Sequence, residues 1–256
     1  MGCVRKGLFF DIGGTLVADP FPFACGSIAD LLIESGIMNI RRRDELINAL
    51  QGANKTLDTL GWSHFWGEPD ILLEAFRRVS VSVKEAMLNA CLERCRIAVQ
   101  ETYRTQPDLL ALPRSRLRAL LHLARDAGFH VGIISDERKS SIPLYLKVLD
   151  AEDCFDTVVT SEEAGVAKPH PEIFRLALRT AGVAATESVY VGNDYVRDIA
   201  GARGVGMKTV YFTRFNSPDV GPSQYADFVT DDLTDLICFL ELDGKGWPDQ
   251  QLGGKG

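Results

Sequence analysis

Four short polar clusters each follow an apolar run, and together they hold the groups needed to handle a phosphoryl ester. They are Asp11 with Gly13-Gly14-Thr15, Ser135-Asp136, Lys168-Pro169, and Asn193-Asp194 with Asp198. Asp11 supplies a carboxylate able to attack, Ser135 a hydroxyl, and Lys168 an ammonium. The last cluster adds acidic and amide oxygens. A dianionic phosphoryl group calls for such a set. Lysine and backbone N–H groups neutralise its oxygens, and a metal on carboxylates shields the charge that an attacking aspartate must approach.

The runs that precede these clusters read as strands. They are Leu8–Phe10, Phe129–Ile134, Val158–Val159 and Val189–Val191, with Thr209–Phe212 as a fifth. Short runs rich in Val, Ile and aromatics fit strands buried on both faces, as in a parallel sheet. Helical patterns alternate with them. One opens at Pro113 and stops at Gly128, one opens at Pro171 and stops at Gly182, and a third covers Tyr195 to Ala202. The alternation predicts an α/β fold with helices on both faces of a parallel sheet, and places the clusters at its carboxyl edge, where such sheets bind ligands.

Residues 17–110 differ. They show helical patterns and no convincing strand, the best being the stripe Val83, Ala86, Met87, Ala90, Cys91, Arg94, Ile97 and Ala98. So long a stretch is no crossover loop. The expected organisation is a core from residues 1–16 and 111–243, an inserted all-helical cap over 17–110, and a flexible glycine-rich tail over 244–256.

Composition narrows the function classes. The chain has 256 residues, 46% hydrophobic and 25% charged, and its formal net charge is −7. This is a globular composition, and the acidic balance argues against a nucleic-acid partner. No apolar run reaches the roughly 20 residues of a membrane span. The first residues lack a signal-peptide pattern, and Met1-Gly2-Cys3 has Lys6 where a myristoylation signal wants Ser or Thr. The six cysteines show no C-x-x-C pair. They read as small core residues in a reducing cytoplasm rather than as a zinc site. Arg41-Arg42-Arg43 reads as a solvated helix start, Gly61-Trp62-Ser63-His64-Phe65-Trp66 as core before substrate pocket, and His170, between two prolines, as structural.

The segments FFDIGGTL, IISD, AKPHPEIF and YVGNDYVRDIAGARGVGM, in that order, resemble the four motifs of the haloacid dehalogenase superfamily. The insert after the first resembles its C1 helical cap. The resemblance covers about residues 7 to 242 and implies a Rossmann-like core and a cytoplasmic, Mg²⁺-dependent phosphatase of a small phosphorylated metabolite, monomeric or homodimeric. Carried onto this sequence, Asp11 is the nucleophile that forms an aspartyl-phosphate. Lys168 pairs with Asp11 and the phosphate. Gly14, Thr15, Ser135 and Asp136 join Lys168 in binding substrate. Asp11, the Gly13 carbonyl, Asn193, Asp194 and Asp198 are the expected metal ligands, with Asp198 equally able to orient the loop instead.

Two departures qualify this. Gly13 stands where the family usually has a second aspartate, the acid that protonates the leaving alcohol and then activates water. Such a group is worth about 10²–10⁴ in rate. Alkyl phosphates, which need that proton most, are then expected to be slow unless another acid reaches the leaving oxygen. Asn193 stands where a metal-ligating aspartate is usual, trading a charge for a neutral oxygen. Two other readings stay open. One is a 2-haloacid dehalogenase, weakened by the absence of any arginine between Asp11 and Arg41. The other is a catalytically weak binding protein.

Overall fold

A computed structural model describes residues 6–59, 69–215 and 226–242. Its core is one sheet of β1 (Lys6–Phe10), β2 (Phe129–Ser135), β3 (Thr157–Thr160), β4 (Ser188–Gly192), β5 (Lys208–Phe212) and β6 (Phe228–Thr230). The order is β3-β2-β1-β4-β5-β6, and every neighbouring pair is parallel. All residues of β2 and β4 are buried, which is why these strands read as unbroken apolar runs. From β1 the chain steps outward through β2 to β3, then returns to the other flank of β1 for β4. Asp11 therefore lies at the point where strand order reverses, the place where open α/β sheets bind ligands.

The helices α5 (Arg114–Asp126) and α8 (Pro171–Ala181) carry the signals expected of them. Pro113 precedes α5, Pro171 opens α8, and Gly182 ends α8 in the left-handed region at φ 67°. His170 has a structural task, since its Nδ1 accepts a hydrogen bond from the Glu172 N–H at 3.2 Å at the start of α8. Phe174 of α8 packs edge-on against Tyr190 of β4, with ring centroids 5.3 Å apart, inside a cluster that includes Phe9, Ile134 and Ala202. The shorter helices are α6 (Ile142–Leu149), α7 (Ser161–Ala164), α9 (Gly201–Gly204) and α10 (Leu236–Phe239).

The chain divides into two compact units, one running to Ala18 and resuming over Leu110–Lys139 and from Tyr145, the other spanning Asp19–Leu109 and Ser140–Leu144. The second contains α1 (Phe21–Glu34), α2 (Arg43–Thr59), α3 (Pro69–Arg78) and α4 (Glu85–Thr105), with no strand among the described residues. Leu32, Leu46, Leu50, Ile71, Phe76, Val99 and Tyr103 form its interior. The buried face of α4 is Cys91, Leu92, Cys95, Ala98, Val99, Thr102 and Tyr103. The expected stripe is thus corrected, for Met87 and Ile97 are exposed. The arginine run is also more than a solvated start. Arg43 forks onto Asp30 of α1 at 2.5 and 2.9 Å, and Arg42 Nη2 donates to the Val79 carbonyl at 2.9 Å.

Among the described residues Cys25, Cys91, Cys95 and Cys154 are buried free thiols and Cys238 is exposed. No described helix is long and apolar enough to cross a membrane. The cluster from Gly61 to Trp66 and the tail over 244–256 lie outside the described residues.

Candidate active site

The site is assembled where β1 ends. The Asp11 N–H donates to the Val191 carbonyl at 2.9 Å, extending the β1–β4 ladder by one residue and fixing the Asp11 backbone. The Ile12 carbonyl then accepts from the N–H groups of Thr15, Leu16 and Val17 at 3.2, 2.8 and 3.1 Å, which folds the chain into a tight turn. Gly14 sits in that turn at φ 78°, and a Cβ there would run into the Asn193 amide. Only glycine meets both conditions. Thr15 Oγ1 donates to Asn193 Oδ1 at 3.2 Å, tying the first cluster to the last.

Lys168 is buried, and its ammonium has three neighbours for its three protons. These are Asp11 Oδ1 at 2.8 Å, Asp198 Oδ1 at 2.7 Å and the Tyr190 hydroxyl at 3.2 Å. Its backbone N–H donates to Asp136 Oδ1 at 2.9 Å, so the second cluster holds the third in place. The Tyr190 hydroxyl also lies 2.9 Å from the Ile134 carbonyl and 3.1 Å from Asp198 Oδ1. One ammonium and two carboxylates are thus packed out of water. Burial pushes the Asp11 carboxyl up to about 6 and Asp198 adds to the rise, while the Lys168 charge opposes it. Burial works to lower Lys168, but Asp11, Asp198 and Asp136 outweigh it and hold the ammonium above its ordinary range. Burial and Asp198 raise Tyr190 well above the usual phenol, so it stays a neutral hydroxyl.

Residues 195–200 form a wide π-type turn rather than the regular helix expected there. Its purpose is visible at Asp198. Oδ2 accepts from the N–H groups of Asn193 and Asp194 at 3.0 and 2.9 Å, while Oδ1 faces Lys168 and Tyr190. The carboxylate folds back to cap the segment that leads into it. It packs so closely on β4 that a Cβ at Gly192 would come within 2.5 Å of its Cγ.

Both oxygens of Asp198 accept hydrogen bonds, from Lys168 and Tyr190 on one side and from the Asn193 and Asp194 N–H groups on the other, an arrangement that suits the loop-orienting role. Asp194 Oδ1 caps the Val196 and Arg197 N–H groups at 2.9 and 2.8 Å, and Oδ2 pairs with Arg197 Nε at 2.9 Å. The Arg197 hydrogen bonds outweigh burial and hold Asp194 below the usual carboxylate range. Asp136 accepts from the Lys168 N–H and stands 3.8 Å from Arg197 Nη1. Ser135 Oγ is buried and accepts from the Glu137 N–H at 3.2 Å. Among the described residues no group of three or more His, Cys, Asp or Glu is arranged to hold a metal. Asp11, the Gly13 carbonyl and Asn193 also offer oxygens to a cation, and Asn193 Oδ1, like the carboxylates, accepts a hydrogen bond, here from Thr15 Oγ1. The motifs did not mark Tyr190, Arg197 or Glu137. Tyr190 reaches Ile134 and Lys168, far away in sequence, while Arg197 pairs with Asp194 three residues before it.

A carboxylate at a strand end, paired with one buried lysine, is an arrangement able to attack an electrophile. The chain belongs to the haloacid dehalogenase-like hydrolases, whose family model matches residues 5–206. It is 32% identical over 242 residues to a glyceraldehyde 3-phosphate phosphatase of Pyrococcus furiosus, covering 92% of this chain and 93% of that one. A haloacid dehalogenase-type phosphatase from Thermococcus onnurineus superposes with TM-score 0.58 at 25% identity, covering 92% of this chain and 97% of that one. A 2-haloacid dehalogenase from Pseudomonas syringae superposes with TM-score 0.61 at 21% identity, covering 93% and 99%. Phosphatase and dehalogenase share this fold, so the fold alone does not choose between them.

Proposed function

We propose that Asp11 attacks the phosphorus of a small phosphorylated metabolite and carries the phosphoryl group as an aspartyl-phosphate. The observation that supports this most is the Lys168 ammonium at 2.8 Å from Asp11 Oδ1, a buried cation beside the nucleophile. Lys168 holds Asp11 in line and stays charged to meet the phosphoryl oxygens. Asp198 and Tyr190 keep its ammonium in place, and Asp136 anchors its backbone. Ser135 and Thr15 close the edge on either side of Asp11. The relatives named as phosphatases favour phosphoryl transfer over attack on carbon, as does the absence of any arginine between Asp11 and Arg41.

Phosphatases of this family generally use Mg²⁺. The donors here are hard oxygens on one carboxylate, one carbonyl and one amide, a set that suits Mg²⁺ when substrate and water complete the octahedron. Asp11, the Gly13 carbonyl and Asn193 would hold it. When bound, the ion shields the phosphoryl charge from the incoming carboxylate. With Asn in place of an acid at 193, the ion would have one carboxylate fewer to hold it, so weaker binding is expected. We assign residues 17–110 the role of substrate-selecting cap. The buried free thiols suit a cytoplasmic enzyme.

A screen of phosphorylated metabolites and of 2-haloacids, with and without Mg²⁺, tests the reading. Mg²⁺-dependent release of inorganic phosphate is the expected result. Halide release without the ion would establish the dehalogenase, and no turnover in either series would leave a binding protein.

A further inference from the structure

Gly13 leaves the site without the acid that leaving-group departure needs, yet the backbone does not require glycine there. Unlike Gly14, Gly13 does not have a positive φ. A Cβ built at Gly13 meets a single group, the Oε1 of Glu137, at 3.6 Å. A carboxylate oxygen lies two bonds, about 2.4 Å, beyond its own Cβ. An aspartate at 13 and the glutamate at 137 therefore reach into one region, and glycine makes room for the glutamate. The parallel register explains how Glu137 gets there. β2 lies beside β1 with Phe10 opposite Ile133, so the residues just past the two strands are neighbours. The Glu137 N–H donates to Ser135 Oγ at 3.2 Å, which bends the loop directly after β2. Glu137 is 6% exposed, a degree of burial that a glutamate on an ordinary surface loop does not show.

We propose that Glu137 is the general acid and base of this enzyme, supplied from the loop after β2 to the place an aspartate at 13 would fill. The proposal rests on the aspartyl-phosphate reading of Asp11. In the first step an Asp11 oxygen forms a bond to phosphorus and the bond from phosphorus to the leaving oxygen breaks. The electron pair goes to the leaving oxygen, which takes the proton of Glu137 and departs as an alcohol. Glu137 is then a carboxylate. In the second step it accepts a proton from water as the water oxygen bonds to phosphorus. The bond from phosphorus to Asp11 breaks, Asp11 is again a carboxylate, Glu137 is again protonated, and inorganic phosphate leaves.

The experiment compares wild type, Glu137→Gln, Gly13→Asp and the double variant Gly13→Asp/Glu137→Gln on p-nitrophenyl phosphate and on glycerol phosphate. The nitrophenolate leaves without a proton and the glycerol alkoxide does not. Glu137→Gln is expected to lower kcat/KM by about 10²–10³-fold on the alkyl ester and by less than about tenfold on the aryl ester. Aspartate at 13 in the double variant restores most of the alkyl activity. Gly13→Asp alone brings two carboxylates together and gains little over wild type. Equal losses on both esters in Glu137→Gln, or no rescue by a folded double variant, would overturn the role of Glu137 and leave Asp11 untouched. A wild type that hydrolyses neither ester while releasing halide from 2-haloacids would overturn the Asp11 reading and with it this proposal.

Discussion

The ion pairs of the helical unit and those at the end of β1 are built on opposite terms. In the helices several are short-range and solvent-facing, as in Arg104–Glu101 and Arg96–Glu93, each pair three residues apart on one helix face. Water and salt screen such pairs, so each contributes little. Near Asp11 the charges come from three remote segments and are buried, with the Lys168 side chain 4% exposed and that of Asp198 1%. There the charges compensate one another out of water. A surface pair can be lost without consequence for its neighbours. Removing the single cation of the buried set leaves two carboxylates desolvated and unpaired.

The contrast orders the expected effects. Asp11→Asn is expected to lower turnover by about 10³-fold or more, because an amide cannot form the acyl-phosphate. The same change should leave stability unharmed. The folded-state pKa of Asp11 is raised from 3.8 to about 6, so its contribution is favourable below about 3.8 and is lost as pH rises through about 6. In metal-free buffer, Tm of Asp11→Asn should equal or exceed that of wild type above pH 6, and the gap should close in acid. A clear loss of Tm at pH 7 would show that the ionised carboxylate stabilises the fold.

Lys168→Met comes next. It strands Asp11 and Asp198 without a cation, and urea melts should show a loss of about 3–5 kcal/mol. A change below about 1 kcal/mol would mean that water reaches the carboxylates. Tyr190→Phe removes the hydroxyl between Lys168, Ile134 and Asp198, and should cost about 1–2 kcal/mol. Arg104→Ala, in the helical unit, should leave the same urea melts unchanged, and a measurable loss would blur the distinction.

How legible these features were follows the same division. Strands buried on both faces, such as Phe129–Ser135, wrote themselves into the sequence as unbroken apolar runs. Phe228–Thr230 did not, because a three-residue edge strand has no such run. The four clusters and their order at the sheet edge were readable from residue types that follow strand ends. Their division of labour was not. Asp136, Asp194 and Asp198 offer the same oxygens, and only tertiary structure shows which partner each one has. Glu137 carried a signal that was passed over, an acid two residues past Ser135 in a chain lacking one at 13. Reading it needed the adjacency of β1 and β2.

The account stands most directly on the covalent intermediate. Wild-type enzyme should be mixed with p-nitrophenyl phosphate and Mg²⁺, quenched in acid during turnover, digested and analysed by mass spectrometry. The peptide that contains Asp11 is expected to carry one phosphoryl group, labile to hydroxylamine and missing from Asp11→Asn. Rapid phosphate release with no phosphoryl group on that peptide, or with the group on another residue, would contradict the account.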